Sequence, residues 1–306
     1  MQLTDYVHTL GQYWRERYGC RVRKLAIDAH FSCPNRDGSI GRGGCSFCNV
    51  ASFAVPAHSE SIAQQLQARK AEMKHQDIVY MAYFQAYSNT YGEYQQLQIL
   101  YQQALADPQV MGLCIGTRPD CVSDEILQLL ADYQAQGKEV WLELGLQSAQ
   151  DRTLKRINRG HDFACYQNTV ERANAYGIAI CTHLIIGLPG EQMCDYQNTL
   201  RRVLAQGVQG IKLHPLMVVE GSLMAKAWRA GKVSMQSLDD YVKVAGQLIQ
   251  MTPQKVIFHR VCATARPPTL LSPDWCAQQW PPLTEITRYL ATYGGQGSQL
   301  QGQLVH

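Results

Sequence analysis

The sequence predicts an α/β fold, a partial (βα)6 TIM-type barrel with a C-terminal extension. Three observations support that expectation. Short apolar runs rich in β-branched and aromatic residues alternate with amphipathic stretches six times between residues 23 and 219. The runs are almost continuously apolar, which suits strands buried on both faces of a parallel sheet. Right-handed crossovers between parallel strands then curl such a sheet toward a barrel.

The elements follow in order. "MQLTDYVHTLGQYWRERYGC" opens the chain with helical apolar spacing and internal charges, so it reads as a helix and not as a signal peptide. "RKLAID" (23–28) is the first strand and leads into a loop rich in cysteine and glycine. "IVYMAYFQAY" (78–87) is the second, followed by a helical pattern at Tyr94, Leu97, Leu100, Tyr101 and Leu105. "VMGLCIGTRPD" (110–120) precedes a helix through Ile126, Leu127, Leu129 and Leu130. "EVWLELGLQS" (139–148) is the fourth strand, with helical segments near 150–157 and 163–176 behind it. "IAICTHLIIGLPGE" (178–191) precedes a helix to about Ala205, and "GIKLHPLMVV" (210–219) is the sixth strand. Residues 1–222 therefore form the expected core. The proline-rich "ARPPTLLSPDWCAQQWPP" (265–282) breaks the rhythm, so 223–306 is expected to be a helical and irregular extension closing the open side of the barrel. Its end, "GGQGSQLQGQ" (294–303), reads as a flexible tail.

Composition narrows the class. Of 306 residues, 46% are hydrophobic and 17% charged, which fits a globular protein with a large core. No run approaches the roughly 18 apolar residues of a membrane span. The expected location is the cytoplasm, where thiols stay reduced, so eleven cysteines point to metal or redox chemistry before disulfides. A net charge of +3 says little about partners; local arginine clusters say more.

Three of those cysteines stand together in the loop after the first strand. Cys33, Cys45 and Cys48 are spaced C-x11-C-x2-C, with Gly38, Gly41, Gly43 and Gly44 between them. In parallel α/β architectures chemistry collects at the C-terminal ends of strands, and this loop sits there. A structural zinc would complete its tetrahedron with a fourth ligand such as His30 or Cys20. A [4Fe–4S] cluster on three thiolates would leave one iron open to a small molecule. Apolar core thiols without metal are a third reading.

With the motifs further along, the loop resembles the radical S-adenosylmethionine (SAM) superfamily. The first cysteine gap is eleven residues instead of that family's usual three, as in its branch resembling the Elongator catalytic subunit. The similarity covers about residues 20–222. It implies an enzyme that binds a [4Fe–4S] cluster through Cys33, Cys45 and Cys48. It further implies SAM chelated to the open iron and cleaved reductively to a 5′-deoxyadenosyl radical. An electron donor such as flavodoxin or ferredoxin is the implied partner, with no membrane.

The resemblance also assigns SAM contacts. Phe47, inside the C-x-φ-C slot, would pack beside the adenine, or is simply a core phenylalanine. Gln85 stands where the family often has a glycine-glycine-acid turn for the methionine end; this chain reads Gln85-Ala86-Tyr87. Glu143 and Gln147 in "LELGLQS" would hold the ribose hydroxyls. Arg159, twelve residues after Gln147 in "LKRINRGHD", would meet the SAM carboxylate, or cap a helix. Gly187 and Gly190 in "HLIIGLPGE" would admit the nucleoside closely, and His183 faces the lumen or packs in the core. Arg118 and Asp120 of "GTRPD" read as a structural clasp.

Relatives in the Elongator-like branch make tRNA wobble uridine a candidate substrate, beside a protein or small metabolite. Arg36, Arg42, Arg152, Lys155, Arg156 and Arg159 would then face phosphates, or are solvated helix faces. Cys262 and Cys276 would relay a hydrogen atom, or are buried apolar thiols. The competing function is a non-catalytic zinc- or iron–sulfur-stabilised RNA-binding module.

Overall fold

The structure, a computed structural model, describes residues 1–49, 60–73 and 78–300. Helix α1 (Leu10–Tyr18) starts at Thr9, whose hydroxyl accepts from the Gln12 amide, and stops at Gly19 with φ 67°. Then come β1 (Arg21–Ile27), α2 (Pro34–Asp37), α3 (Ile62–Ala71), β2 (Ile78–Phe84), α4 (Tyr94–Leu105) and β3 (Val110–Thr117). They are followed by α5 (Asp124–Ala135), β4 (Glu139–Gln147), α6 (Asp151–Arg156), α7 (Phe163–Ala175), β5 (Ala179–Ile186), α8 (Met193–Leu204) and β6 (Gly210–Pro215). The C-terminal part holds β7 (Val218–Val219), α9 (Leu223–Arg229), α10 (Leu238–Gln250), β8 (Ile257–Arg260), β9 (Leu270–Ser272) and α11 (Trp280–Tyr293).

Seven strands form one parallel sheet in the order β1-β2-β3-β4-β5-β6-β8. Neighbours in sequence are neighbours in space, and the sheet curls into a half-barrel with helices outside. The expected six strands are all present. The seventh corrects the sequence reading, which gave residues 223–306 wholly to an extension. Ile257–Arg260 has only four residues, two of them polar, so it lacks the long apolar run of the other strands. An edge position tolerates that brevity, and β8 pairs with β6 through Gly210↔Ile257 and Lys212↔Arg260.

Both faces of the sheet are buried. Outside, Leu25, Phe84, Leu97, Leu113, Leu142 and Leu213 belong to the main core with the helices. Inside, Leu10, Trp14, Met81, Trp141 and Ile257 close the N-terminal end of the lumen. Glu139 ties that floor together, accepting from Trp14 Nε1 (2.9 Å), Trp141 Nε1 (2.7 Å) and the Tyr18 hydroxyl (2.5 Å). Burial on both sides is why these strands show no polar alternation.

The C-terminal segment returns to the cavity, where Ala263, Thr264 and Ala265 line it. An antiparallel pair, β7 with β9, and a bond from the Tyr241 hydroxyl to the Val261 carbonyl (2.7 Å) fix it there. The expected flexible tail is partly a correction. Residues 294–300 are docked, and Gln296 is 3% exposed. Its side chain donates to the Pro253 and Val256 carbonyls (2.8 and 2.7 Å) and accepts from the His8 amide (2.8 Å). A glycine- and glutamine-rich string looks unstructured because its anchors are backbone groups elsewhere. The rest of that string, 301–303, lies outside the described residues.

Gln296→Ala leaves those buried backbone groups without partners. It should cost about 2–4 kcal/mol, read as a lower urea midpoint at unchanged slope. An unchanged midpoint would show that the tail docks without contributing stability.

Candidate active site

The cysteine loop is built from its backbone upward. Cys33 precedes α2 in extended conformation, and Pro34 occupies the first helical turn, where a missing N–H costs nothing. The Cys33 carbonyl accepts from the Arg36 amide (2.8 Å), and the Pro34 carbonyl accepts from Ile40 and Gly41 (2.9 and 3.1 Å). Asp37 and Arg42 form an isolated antiparallel bridge, so the long gap is a closed hairpin-like unit. Gly41 lies so near Asn35 that a Cβ there would sit 2.3 Å from its Oδ1. Cys45 and Cys48 follow in a turn closed by the Cys48 amide on the Cys45 carbonyl (3.0 Å).

The loop is pinned to the turn after α6. Asn35, 1% exposed, donates to the Asn158 carbonyl (2.6 Å), while Asn158 donates to the Gly44 carbonyl (2.8 Å). The Ser46 amide donates to the Ile157 carbonyl (2.9 Å). Two N–H groups reach sulfur. Arg159 Nη1 is 3.3 Å and Asn35 Nδ2 3.7 Å from Cys45 Sγ. The other Arg159 nitrogens donate to the Gly145 carbonyl (3.2 and 2.5 Å). Donors aimed at a thiol sulfur are what a metal-bound thiolate requires.

The zinc reading loses one of its two candidate fourth ligands. Cys20 precedes β1 and Cys33 follows it, so the two stand at opposite ends of a strand about 23 Å long. Among the described residues no three His, Cys, Asp or Glu side chains gather as a site for a single metal ion. Three thiols on one cavity wall, with N–H donors behind them, fit a polynuclear cluster instead.

That cavity, about 240 Å³, opens at the C-terminal end of the sheet, where all three cysteines line it. Opposite them, Glu143 is fully buried and its oxygens are fully engaged. Oε2 accepts from Lys212 Nζ (3.0 Å) and His183 Nε2 (2.8 Å); Oε1 pairs with Lys24 Nζ and His259 Nδ1 (3.4 Å). Both ammonium groups lie over the Tyr83 ring, at 4.8 and 5.0 Å, and Lys212 also donates to its hydroxyl (3.0 Å). Burial alone would raise the Glu143 carboxyl, but Lys212 and Lys24 outweigh it and hold it well below the usual range. Burial lowers Lys212 to about 8 despite Glu143, and lowers His183 to about 4 and His259 to about 3. The imidazoles are therefore neutral at pH 7, and His259 Nδ1 also lies 3.3 Å from Lys24 Nζ.

Phe47, Gln85, Glu143, Gln147 and Arg159 all line the cavity that the three cysteines line. Gln147 stands at a β-bulge with φ 80°. With His30, Tyr87 and Asn158 it makes up the non-glycine residues of left-handed backbone among those described, and all four follow strands or α6 at this end. Two assignments change. Glu143 reaches the cavity, but a carboxylate with four partners has no lone pair left for ribose. Gly187 is not part of the wall; a Cβ there would meet Gln236 and Leu216 (3.2 and 3.4 Å). Gly190 makes room for the Arg156 guanidinium, which bonds the Pro189 carbonyl (2.5 Å).

The basic residues divide. Arg42, Lys155 and Arg156 are exposed, whereas Arg152 pairs with Asp195, Arg36 holds the Cys48 carbonyl (2.7 Å) and Arg159 is buried. Arg118 and Asp120 form the expected clasp, at 2.8 and 2.6 Å. Cys262 and Cys276 stay off the cavity wall, which their neighbours Ala263, Thr264 and Ala265 supply. Burial pushes the Cys262 thiol up to about 12.

Sequence reasoning missed Lys24, Tyr83, Lys212, His214 and Arg260, all of the charged lumen. The signal was available: a lysine inside "GIKLHP" needs a partner for the same reason as a glutamate inside "LELGLQS". Asn35 was hidden in a loop whose fold its sequence does not announce.

Residues 37–203 match the family described as the Radical SAM superfamily, and 208–292 match the Radical_SAM C-terminal domain. Protein YhcC of Escherichia coli (strain K12) is 55% identical over 301 residues, covering 98% of this chain and 97% of that one. A tRNA uridine(34) acetyltransferase of Dehalococcoides mccartyi (strain CBDB1) is 28% identical over 160 residues, 51% of this chain and 34% of its own length. Among solved structures, the Methanocaldococcus infernus Elp3 lacking its N-terminus has a TM-score of 0.64 at 16% identity. That likeness covers 89% of this chain and 63% of that one.

Glu143→Gln strands the buried Lys212 and the half-buried Lys24 and should cost about 3–5 kcal/mol of stability near pH 6. Native Lys212 titrates near 8, below its usual 10.5. The unfolded chain thus binds more protons between those values, and this lysine makes stability rise with pH there. Without Glu143 its native pKa falls further, so recovery starts at lower pH. The gap between variant and wild type in urea unfolding should therefore narrow from about pH 6 to about pH 9. A constant gap would mean that the carboxylate does not hold these lysines.

Proposed function

Since this chain belongs to the radical SAM superfamily, whose enzymes use a [4Fe–4S] cluster and SAM, we propose that Cys33, Cys45 and Cys48 hold that cluster and that the substrate is a uridine of tRNA. The observation behind the cluster assignment is that all three cysteines line one cavity, with the Arg159 and Asn35 N–H groups on Cys45. Bound there, the cluster supplies the single electron that cleaves SAM to methionine and a 5′-deoxyadenosyl radical.

This chain's residues do the rest. The N–H groups of Arg159 and Asn35 stabilise negative charge on Cys45. Phe47 offers an apolar face for the adenine, and Gln147, turned inward by its bulge, offers an amide to the ribose hydroxyls. Gln85 faces the methionine end. Arg159 touches both the thiol and the cavity, so a SAM carboxylate beside the cluster would meet its guanidinium. Ile185, Leu216, Met217 and Val219 make the wall apolar and exclude water from a reactive radical. Glu143 acts on its lysines and not on SAM.

Two observations support tRNA. The likeness to a tRNA uridine acetyltransferase falls on a chain of this fold, and Arg42, Lys155 and Arg156 offer exposed positive charge on the cluster loop and the helix that supports it. Reduction in the cell would come from a flavodoxin- or ferredoxin-like donor.

After anaerobic reconstitution the wild type should hold about four irons and four sulfides per chain. The electron paramagnetic resonance spectrum of the reduced protein should change on adding SAM, and dithionite should release 5′-deoxyadenosine. Alanine at Cys33, Cys45 or Cys48 should abolish the cluster, whereas Cys20→Ala and His30→Ala should retain it. Stoichiometric zinc without iron uptake would instead favour the zinc-stabilised RNA-binding module. For the substrate, tRNA from a strain lacking the protein should show a changed modified uridine. An identical nucleoside profile would remove tRNA.

A further inference from the structure

The cavity wall opposite the cysteines has a charge pattern that the cluster and SAM do not use. Register pairing places Gly145, His183, Lys212 and Arg260 side by side across β4, β5, β6 and β8. All four line the cavity. Gly145 has no side chain, and the Arg159 guanidinium fills its place, 2.9 Å from where a Cβ would be. The row therefore presents Arg159, a neutral imidazole, an ammonium and a second guanidinium.

Like charges on adjacent strands destabilise a sheet unless something lies between them. Among cavity-lining residues Glu143 is the one carboxylate, against Arg36, Arg118, Arg159, Lys212 and Arg260. Arg118 is paired with Asp120, and Arg36 and Arg159 serve the cysteine loop. On the far wall Glu143 faces Lys24, Lys212 and Arg260, which leaves two positive charges in surplus. Arg260 makes no ion pair among the described residues, and Arg260 and Lys24 both push the Lys212 pKa down, after burial. One step above the row, His214 stacks on His183 (ring centroids 5.7 Å) and keeps its Nε2 buried without a hydrogen-bond partner.

Resting on the proposed radical SAM site, we infer that Lys212, Arg260 and His214 form a receptor for a small terminal anion, a carboxylate or phosphate monoester, carried by a small co-substrate that reacts beside the uridine. A guanidinium, an ammonium and an imidazole N–H facing one space can hold such a group by charge-assisted hydrogen bonds. The lumen floor, closed by Trp14 and Trp141, admits only a chain end or substituent. A backbone phosphodiester, which continues in both directions, cannot enter. The anion would anchor that co-substrate so that its neighbouring carbon faces the cluster side of the cavity.

The test uses the reconstituted wild-type protein with SAM bound, titrated by calorimetry with malonate and separately with inorganic phosphate. Chloride at equal ionic strength is the control, and 15N-labelled histidine resonances are followed in parallel. Saturable binding should appear with a shift of the His214 ring signals. It should weaken by about tenfold or more in Arg260→Met and in Lys212→Met. Arg260 is exposed and unpaired, so its variant stays informative if Lys212→Met fails to fold. Tighter malonate binding assigns a carboxylate, and tighter phosphate binding a phosphate monoester. A wild type that cleaves SAM but binds neither anion overturns the receptor, as does binding that both variants leave unchanged. A wild type that assembles no cluster overturns the radical SAM reading instead, and the receptor with it.

Discussion

A carboxylate removed from water inside a parallel barrel constrains everything around it. Glu143 has no solvent to share its charge with, so β1 and β6 each contribute a lysine, and β5 and β8 each contribute a histidine. An uncompensated buried charge costs several kcal/mol, so removing any one of these five groups leaves the others out of balance. The arrangement also needs β8. Without the seventh strand His259 and Arg260 would be absent from the lumen, and the half-barrel would end at Lys212.

The cysteine loop depends on a different device. A gap of eleven residues is long enough to wander, yet it is closed on itself by the Asp37–Arg42 bridge and clamped by the reciprocal Asn35 and Asn158 amides. Those amides bond to backbone carbonyls, so they fix where the loop sits without depending on side chains opposite. The same clamp carries Arg159 to Cys45. Loop position and sulfur hydrogen bonding are thus set by one contact region, the turn at Asn158–Gly160.

Much of this was legible in the sequence. The strands from "IVYMAYF" to "GIKLHP" announce themselves because burial on both faces makes them apolar throughout. The cysteine spacing pointed to a metal centre, and Gln147 and Arg159, assigned through the family resemblance, both line the cavity. What failed did so for physical reasons. Ile257–Arg260 is an edge strand whose polar half faces a charged lumen, so it has no hydrophobic signature. Gln296 is buried by carbonyls of distant loops, which no local pattern encodes. Glu143 was recognised as needing a partner, but its partners lie on four other strands, and only topology says which lysine meets which carboxylate. Gly187 matched a motif and yet faces Gln236, because a motif fixes a turn's shape and not what packs on its far side.

Closing the barrel with a strand from near the end of the chain imposes an order on its manufacture. The Phe258 amide bonds the His8 carbonyl (2.9 Å), and Gln296 returns to Tyr6 and His8, so a part translated late docks against one translated early. When the cysteine loop leaves the ribosome, more than two hundred residues still separate it from Arg260 and Ala263. Until those emerge, the thiols stand in a trough with one side missing. The cavity that the three thiols line is thus completed by residues translated long after them.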